Sequence, residues 1–279
     1  MGLLPAPELS RCSGTRANWT QLNLRLPDGI ETDQFLVAEL GPTMTRLQDG
    51  DAVGRWWLLR KPPGLRVRVR TVGGAAPGAA RDVLDDLVSQ GVLTSWHSAI
   101  YEPERRAFGG TAALAVAHTL FCDDSRNLLA YLTGTTTDSA EQREHLGLLL
   151  VASLLRGARL DWYEQGDVWN RVARHRAHVA GTPNQTAVDR TRRLLSVDIH
   201  HLTSDATVPP AWVATWTHAY RDAGAALARL DARGALTRGI RAVAAHHVLF
   251  AWNRLGLSHD AQARLVLQAT IAIFDEEIS

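Results

Sequence analysis

The sequence contains little of several residue types, and each scarcity excludes a class of protein. Only two of its 279 residues are cysteine, Cys12 and Cys122, which are too few for a disulfide framework or a cysteine metal site. Cys122 lies in an apolar run, and we expect it to be a reduced core residue. No apolar run approaches the ~18 residues that a membrane helix needs, and residues 1–16 lack the pattern of a secretion signal. We therefore expect a cytoplasmic protein without a membrane partner.

Lysine is almost absent, because Lys61 is the only one in the chain. A P-loop or a Schiff-base enzyme would have to use Lys61, and the Pro62-Pro63 pair that follows is the wrong context for both. The 30 basic and 29 acidic residues leave a net charge of +1, which gives no general attraction for nucleic acid. The sequence also lacks a dinucleotide-binding glycine motif and a serine-hydrolase elbow. We therefore predict no nucleic-acid partner and no nucleotide or flavin cofactor.

The two halves of the sequence have different patterns. The first half has strand-like runs and two amphipathic helices, with strands at 18–26, 56–60, 65–72 and 94–101 and helices at 32–47 and 79–90. From Gly109 onward the pattern is helical, with helices at 111–132, 139–155, 161–178, 186–199, 210–230, 236–255 and 258–274. The signal Lys61-Pro62-Pro63-Gly64 predicts an antiparallel pair with a four- or five-residue connection.

These patterns predict an α+β protein. An antiparallel or mixed sheet forms from the N-terminal half, and the C-terminal half is mainly helical. We predict a flexible N-terminus over residues 1–16 and a single domain over residues 17–279.

An arginine-rich strand is the sharpest local feature. Residues 65–70 alternate leucine or valine with arginine, so a strand places Arg66, Arg68 and Arg70 on one face at ~6.6 Å spacing, with the apolar residues facing the core. The row is either a solvated sheet face or a binding site for carboxylates. The second alternative is open because a guanidinium group can form paired hydrogen bonds with a carboxylate.

Three other segments contain candidate chemistry. Tyr101 and Glu104 precede the pair Gly109-Gly110, which permits a tight turn or the close approach of another backbone; a charged surface loop is the alternative. Residues 161–169 combine carboxylates with aromatic rings that suit a peptide or heterocycle groove, or simply begin a helix. The helix at 236–255 contains His246-His247. Adjacent helical residues point about 100° apart, so these histidines make a poor metal pair, and we predict no metal.

Four short motifs occur in a recognisable order. They are WWLLR with GLRVR at 56–68, YEPERRAFGG at 101–110, FCDDS at 121–125 and WNRLG at 252–256. Together they resemble the thiopeptide-type bacteriocin biosynthesis domain, which is also the C-terminal elimination domain of lantibiotic dehydratases, over about residues 17–275. One branch of that family removes glutamate from glutamylated Ser/Thr. The other is the pyridine synthase of thiopeptide pathways, which joins two dehydroalanines in a formal [4+2] cycloaddition and expels water and the leader peptide.

Departures from the family pattern favour the pyridine synthases. Arg66 and Arg68 match arginines that hold glutamyl carboxylates in the eliminating branch. The other family positions, one arginine and three histidines, are replaced here at Ala107 and at Gly64, Leu249 and Ala251. Two alternatives stay open: a glutamate-eliminating dehydratase domain, and a non-catalytic domain that brings a leader peptide to a partner dehydratase.

The resemblance implies an enzyme that needs neither cofactor nor metal. Its partners are a precursor peptide, with an acidic leader and a core of thiazoles and dehydroalanines, and other enzymes of the pathway. Our candidates for proton transfer are Tyr101, Glu104, His246 and His247. Three aromatic residues are candidates to stack on thiazole rings: Tyr163, Trp169 and Trp252. The other substrate-binding candidates, which would bind the leader or polarise an amide carbonyl, are Arg66, Arg68, Asn253 and Arg254.

Overall fold

The sheet occupies the N-terminal part of the chain. The computed structural model describes residues 19–61, 64–72, 78–135, 139–176, 183–197 and 211–274. Four strands form a single sheet in the order β2–β3–β1–β4, and every pairing is antiparallel. They are β1 (Trp19–Arg25), β2 (Arg55–Lys61), β3 (Gly64–Arg70) and β4 (Ser95–Ile100). All four coincide with predicted strands. The N-terminus predicted to be flexible, residues 1–16, lies outside the described residues.

The β2–β3 hairpin is tighter than the sequence predicts. Its ladder includes the pair Lys61 and Gly64, so two residues connect the strands and the predicted four or five is wrong. Lys61 and Gly64 belong to the ladder because β3 also pairs with β1 at this end, through Arg25. A Cβ atom at Gly64 would lie 2.0 Å from the carbonyl oxygen of Leu24. Glycine therefore permits the close approach of β3 to β1.

The helices surround the sheet and form the C-terminal half. In the described residues they are α1 (Thr32–Phe35), joined through the π-helical turn Leu36–Leu40 to α2 (Gly41–Asp49), then α3 (Gly78–Ser89), α4 (Thr111–Gly134), α5 (Ala140–Gly157), α6 (Trp162–Ala173), α7 (Gln185–Ser196), α8 (Ala211–Ala232), α9 (Ile240–Leu255) and α10 (His259–Phe274). The fold is thus α+β, as predicted. No helix of the described residues combines the length and apolarity needed to cross a bilayer.

Local sequence explains several helix ends. Ser139 and Asp161 each begin a helix with a capping box, and the Ser258 hydroxyl accepts from the Ala261 N–H at 3.1 Å. Gly256 ends α9 with a φ of 86°, a conformation that glycine adopts without strain. Helix α6 ends at Ala173, earlier than predicted, because the chain continues through short-range turns. The predicted helix boundaries at 178, 199 and 210 and the pair His200-His201 lie outside the described residues.

The two faces of the sheet pack against different elements. On one face, apolar residues of the strands join the leucines of α2 and α3 in the main core; Leu65, Val67 and Val69 are at most 2% exposed, as predicted. On the other face, Trp57 and Leu59 form a separate aromatic cluster with side chains of α4 and the 101–110 segment. Cys122 is a free, buried thiol in this cluster, as predicted. The candidate site lies beside it.

Candidate functional site

The segment between β4 and α4 is held against α9 by its paired glycines. Gly109 and Gly110 have φ angles of 84° and 105°, which L-residues with a side chain rarely adopt. A Cβ atom at Gly109 would lie 2.8 Å from a methyl carbon of Val243 on α9. The Gly109 carbonyl also accepts from the Thr237 N–H at 3.0 Å. The predicted close approach of another backbone is therefore present, and it brings residues 101–108 to the start of α9.

Tyr101 pairs with a histidine of α4. Its hydroxyl oxygen lies 2.9 Å from Nε2 of His118, and its ring meets Trp57 edge to face at 5.8 Å. Burial raises the pKa of Tyr101 to about 12, against the opposing effect of Arg68. Burial, together with nearby arginines, lowers the pKa of His118 to about 4. At neutral pH the pair is therefore a neutral phenol hydrogen-bonded to a neutral imidazole.

Arg68 lies under this pair. Its guanidinium carbon is 4.3 Å from the centre of the Trp57 ring and 5.2 Å from that of Tyr101, and its Nε donates to Oε1 of Gln21 at 3.0 Å. Only 5% of the residue is exposed, and burial lowers the pKa of Arg68 to about 10, so it remains charged at neutral pH. Its Nη1 is buried without a hydrogen-bond partner.

The three arginines of β3 share one face but have different environments. Arg66 is half-buried and Arg70 is exposed, whereas Arg68 is enclosed by aromatic rings. A buried guanidinium cannot grip a leader peptide at the protein surface. The predicted leader-binding role of Arg68 is therefore corrected: its guanidinium packs against Trp57 and Tyr101. We call the site formed by Tyr101, His118, Arg68, Glu104 and His246 the cleft.

A polar row extends from Arg68 across the sheet. Gln21 accepts from Arg68 and donates to Oδ1 of Asn23 at 3.0 Å, and Nδ2 of Asn23 lies 3.0 Å from Nε2 of the exposed His97. Antiparallel register makes the row, because Gln21 lies opposite Arg68 and Asn23 opposite His97. The row therefore links a buried charge to an exposed imidazole.

Glu104 and His246 form the second acid–base pair of the cleft. Oε2 of Glu104 lies 2.7 Å from Nε2 of His246. The hydrogen bond from His246, assisted by the charges of His246, Arg68 and Lys61, lowers the pKa of Glu104 against the effect of burial. The ring of His246 meets Phe108 at 4.6 Å. Two predicted proton-transfer residues, 142 positions apart, are thus in direct contact.

His247 is inside the protein rather than in the cleft. It is 1% exposed, its ring meets Phe108 at 5.0 Å, and neither ring nitrogen has a partner. Burial, with smaller contributions from His246 and Arg254, lowers the pKa of His247 to about 3. A neutral imidazole without access to a ligand cannot exchange protons with a substrate, so we assign His247 to the core.

The predicted aromatic platform is not assembled in the structure. Trp169 and Trp252 are fully buried and stack on each other at 5.7 Å, and Trp252 Nε1 donates to the Gly147 carbonyl at 3.2 Å. Tyr163 is 58% exposed and stacks on Phe274 at 6.3 Å. The thiazole-stacking role is therefore corrected for the two tryptophans, because neither ring is accessible to a ligand.

Two further substrate-binding candidates, Arg254 and Asn253, lie at the end of α9, and their side chains contact other parts of the protein. Nε of Arg254 forms a buried ion pair with Oδ2 of Asp124 on α4, so Arg254 is unavailable to a substrate and its predicted role is corrected. Asn253 is half-buried, and its Oδ1 accepts from Nε2 of Gln262 at 3.0 Å. Asn253 also borders a separate depression of about 410 Å³ beside Arg60 and Gly256.

Sequence reasoning missed four polar residues of the site: Gln21, Asn23, His97 and His118. Two of them were detectable, because Gln21 and Asn23 alternate with Leu22 and Leu24 in β1 and therefore lie on the face opposite the core. His118 lies within an alanine-rich helix, where no comparable pattern distinguishes it. Among the described residues, no group of three or more His, Cys, Asp or Glu side chains is arranged to hold a metal.

Residues 19–271 match the family described as "Lantibiotic biosynthesis dehydratase C-term", and the chain belongs to that family. No curated protein matches the chain.

Solved structures of other proteins share the fold, among them the following three. The tRNA-dependent lantibiotic dehydratase MibB from Microbispora sp. 107891 has a TM-score of 0.64 and 18% identity, over 94% of this chain and 28% of that one. TsrL has a TM-score of 0.63 and 14% identity, over 93% and 95% of the two chains. The pyridine synthase TbtD from thiomuracin biosynthesis has a TM-score of 0.54 and 16% identity, over 92% and 98%. The chain thus spans 28% of the length of the dehydratase.

Proposed function

We propose that this protein is a pyridine synthase of thiopeptide biosynthesis. It joins two dehydroalanines of a thiazole-containing peptide in a formal [4+2] aza-cycloaddition, without a cofactor. The observation that carries the proposal is the Tyr101–His118 pair above the buried charge of Arg68. The fold that the chain shares with a pyridine synthase of similar length supports it.

The reaction requires proton movement rather than electron transfer. The amide preceding one dehydroalanine must become its iminol tautomer, which acts as a 2-azadiene. Two new carbon–carbon bonds to the second dehydroalanine then close the six-membered ring. Loss of water and of the leader as its carboxamide leaves the aromatic pyridine. Each step moves protons at oxygen or nitrogen, so a site for it needs positioned acids and bases.

Tyr101 is suited to form the iminol. With a pKa of about 12 it keeps its proton at neutral pH and donates it to the amide oxygen, while the amide N–H proton is lost to water, so that the tautomerisation balances. When Nε2 of His118 carries its ring hydrogen, it donates to the Tyr101 oxygen and leaves the Tyr101 hydrogen free for the substrate. The positive charge of Arg68, 5.2 Å from the Tyr101 ring, stabilises the negative charge that develops on the hydroxyl oxygen in this transfer.

Glu104 and His246 are suited to the two eliminations. The carboxylate is ionised at neutral pH, since its pKa is lowered, and it holds the imidazole that it contacts at 2.7 Å. An imidazole held in this way can take a proton from the ring intermediate and deliver one to the departing hydroxyl or carboxamide. Close holding of the two dehydroalanines by the cleft supplies the remaining acceleration.

Mass spectrometry of the reaction tests this proposal. The purified protein is incubated with a leader-bearing peptide that contains thiazoles and two dehydroalanines. We expect a macrocycle lighter than its substrate by one water and the leader carboxamide. A substrate that is recovered unchanged, under conditions where the protein is folded and binds it, contradicts the proposal.

Glutamate elimination is the second candidate function. Arg68 favours it, because a buried guanidinium with an unpartnered Nη1 is a suitable partner for a glutamyl carboxylate. The same protein is therefore incubated with a peptide bearing glutamylated serine. Release of free glutamate, without any macrocycle from the first substrate, would show that the protein is a glutamate-eliminating enzyme and not a pyridine synthase.

A further inference from the structure

A second, strongly basic pocket lies directly behind His246. It has a volume of about 80 Å³ and is lined by side chains of α6, α9 and the segments next to them: Arg171, Arg174, His175, Arg238, Ala242, Ala245 and His246. His246 is thus shared, since it borders this pocket and contacts Glu104 of the cleft. We call this site the basic pocket.

The arginines of the basic pocket are not neutralised by the described residues around it. Asp167 is the one carboxylate paired with this group, and it is divided between Arg171, at 3.0 Å, and Arg241, at 3.3 Å. Arg174 and Arg238 have no carboxylate partner among the described residues; Arg238 Nη1 donates only to the Ala107 carbonyl at 3.4 Å.

The position of Arg238 and Arg241 adds to this imbalance. They flank the N-terminus of α9, whose first turn contains no acidic residue and whose N-cap, Gly239, offers no side-chain hydrogen bond. The N-terminus of a helix disfavours positive charge and favours negative charge. Positive charge is therefore concentrated at this point without a carboxylate partner for Arg174 or Arg238, and this arrangement favours an anionic ligand.

We propose that the basic pocket binds the carboxylate side chain of an acidic residue in the leader of the substrate peptide. The inference rests on the proposed function, from which the leader-bearing substrate follows. It also moves the predicted leader-binding role from β3, where Arg68 is enclosed, to the exposed Arg174, just after α6, and Arg238, just before α9.

The size of the pocket favours a side-chain carboxylate. The pocket has a volume of about 80 Å³ and is lined by three arginines, so it suits one charged side-chain group better than an extended ligand. Planar guanidinium groups form paired hydrogen bonds with carboxylates. Nucleic acid, by contrast, is bound through an extended row of phosphate contacts, which a single pocket does not supply.

A carboxylate held here has a direct consequence for the reaction. Because His246 forms part of both sites, a leader residue in the basic pocket anchors the peptide one side chain away from the Glu104–His246 pair. The core of the peptide is then delivered to the cleft from a fixed point. Anchoring of this kind lowers KM and leaves the chemical step unchanged, since the contact is the same in the ground state and the transition state.

Fluorescence anisotropy tests the ligand class. The probe is a short fluorescein-labelled peptide of Glu and Leu, and its matched control has Gln for every Glu. We expect the acidic probe alone to bind, more weakly as salt screens the charges over ~8 Å at physiological ionic strength. The double variant Arg174→Gln/Arg238→Gln is expected to raise Kd about tenfold, the effect of losing two charge-assisted hydrogen bonds.

A charge-matched control separates the pocket from general attraction. The double variant Arg81→Gln/Arg229→Gln removes two exposed arginines elsewhere and is expected to bind the probe like the unmodified protein. Equal binding by both double variants, or no binding of the probe by the unmodified protein, overturns the proposal. Tighter binding of a single-stranded RNA oligonucleotide, with the same dependence on Arg174 and Arg238, overturns it in favour of nucleic acid.

The two proposals fail in different ways. If the probe binds through Arg174 and Arg238 but no macrocycle forms, the pyridine synthase assignment fails and the carboxylate site stands. If a macrocycle forms and the Arg174→Gln/Arg238→Gln variant has an unchanged KM, the leader is anchored elsewhere and the pocket proposal fails alone.

Discussion

Asp124 on α4 and Arg254 on α9, 130 positions apart in the sequence, form an ion pair in which neither side chain is more than 3% exposed. Trp216 Nε1 also donates to Asp124, and the Arg254 guanidinium carbon lies 4.6 Å from the centre of the Phe121 ring. Next to Asp124, the Ser125 hydroxyl accepts from the Leu58 N–H at 3.0 Å. The motifs at 121–125 and 252–256 therefore tie α4 to β2 and α9.

The first prediction concerns this ion pair. Replacement of one partner, in Asp124→Asn, leaves the other charge buried without compensation, which costs about 3–5 kcal/mol in the free energy of unfolding. Urea denaturation followed by circular dichroism measures the loss. The matched control is Glu141→Gln, which breaks the exposed pair with Arg190 and is expected to cost less than about 1 kcal/mol. An equal loss in both variants would show that the buried ion pair contributes no more to the free energy of unfolding than the exposed pair does.

The second prediction concerns Tyr101. In Tyr101→Phe the ring still packs against Trp57, but the hydroxyl that contacts His118 is absent. We expect kcat for macrocycle formation to fall about 10²–10⁴-fold, the usual size of a general acid–base contribution, with peptide binding retained. Tyr163→Phe, at an exposed tyrosine of α6, is the control and is expected to retain full kcat. Unchanged kcat in Tyr101→Phe would exclude Tyr101 as the proton donor.

The third prediction separates two arginines of one strand face. Arg68→Gln removes the buried charge beneath Tyr101 and is expected to lower kcat, because transition-state charge then lacks its partner. Arg70→Gln changes an exposed residue of the same face and is expected to leave kcat and KM unchanged. Steady-state kinetics on the same peptide measures both. A rise in KM alone for Arg68→Gln would instead indicate uniform binding of the substrate.

The fourth prediction is a dependence of stability on pH. His118 and His247 have pKa values lowered to about 4 and about 3 by burial, below the ~6.5 of an unfolded chain. Between these values the unfolded state binds more protons, so the free energy of unfolding falls as pH falls, first through about 6.5 and on towards 4 and 3.

Urea denaturation at a series of pH values measures this slope. Each histidine contributes about 1.4 kcal/mol per pH unit inside its window. His247→Phe, which suits the ring cluster around Phe108 and Phe121, is expected to make the slope shallower below pH 6.5. A slope identical to that of the unmodified protein would show that His247 is already protonated in the folded state.

The fifth prediction concerns additives. Macrocycle formation is expected to continue in the presence of a metal chelator and without any nucleotide, because the proposed steps use only side-chain acids and bases. Mass spectrometry of parallel reactions, with and without chelator, checks this. Turnover that stops on chelation and returns with an added divalent ion would contradict the cofactor-free reaction.

Much of the fold was predictable because it depends on local signals. Alternating apolar residues located all four strands, and the helices predicted from 161 and 258 begin there, with Asp161 and Ser258 as their caps. The hairpin connection was misjudged, since its length depends on how far β3 pairs with β1 and not on the proline and glycine signal alone.

The site was predictable only in part. Tyr101, Glu104 and His246 were predicted from the sequence as proton-transfer candidates; Glu104 and His246 are in contact, and the catalytic role of all three stays a prediction. The roles of Trp169, Trp252 and Arg254 were wrong because an aromatic ring or a guanidinium has the same sequence signal in a core as in a binding site. Packing decides between these, and the packing partners, such as Gly147 and Asp124, are distant in sequence.

The sequence by itself determined the periodicity of each element, the arginines on one face of β3 and the glycines that permit a close approach at 109–110, because these depend on neighbouring residues. The tertiary structure alone decided that Arg68 is enclosed while Arg70 is exposed, and that His118 contacts Tyr101. It also decided that Arg171, Arg174 and Arg238 line one pocket. Such relationships depend on which elements cover each other, and burial then sets the charge state and accessibility of every group.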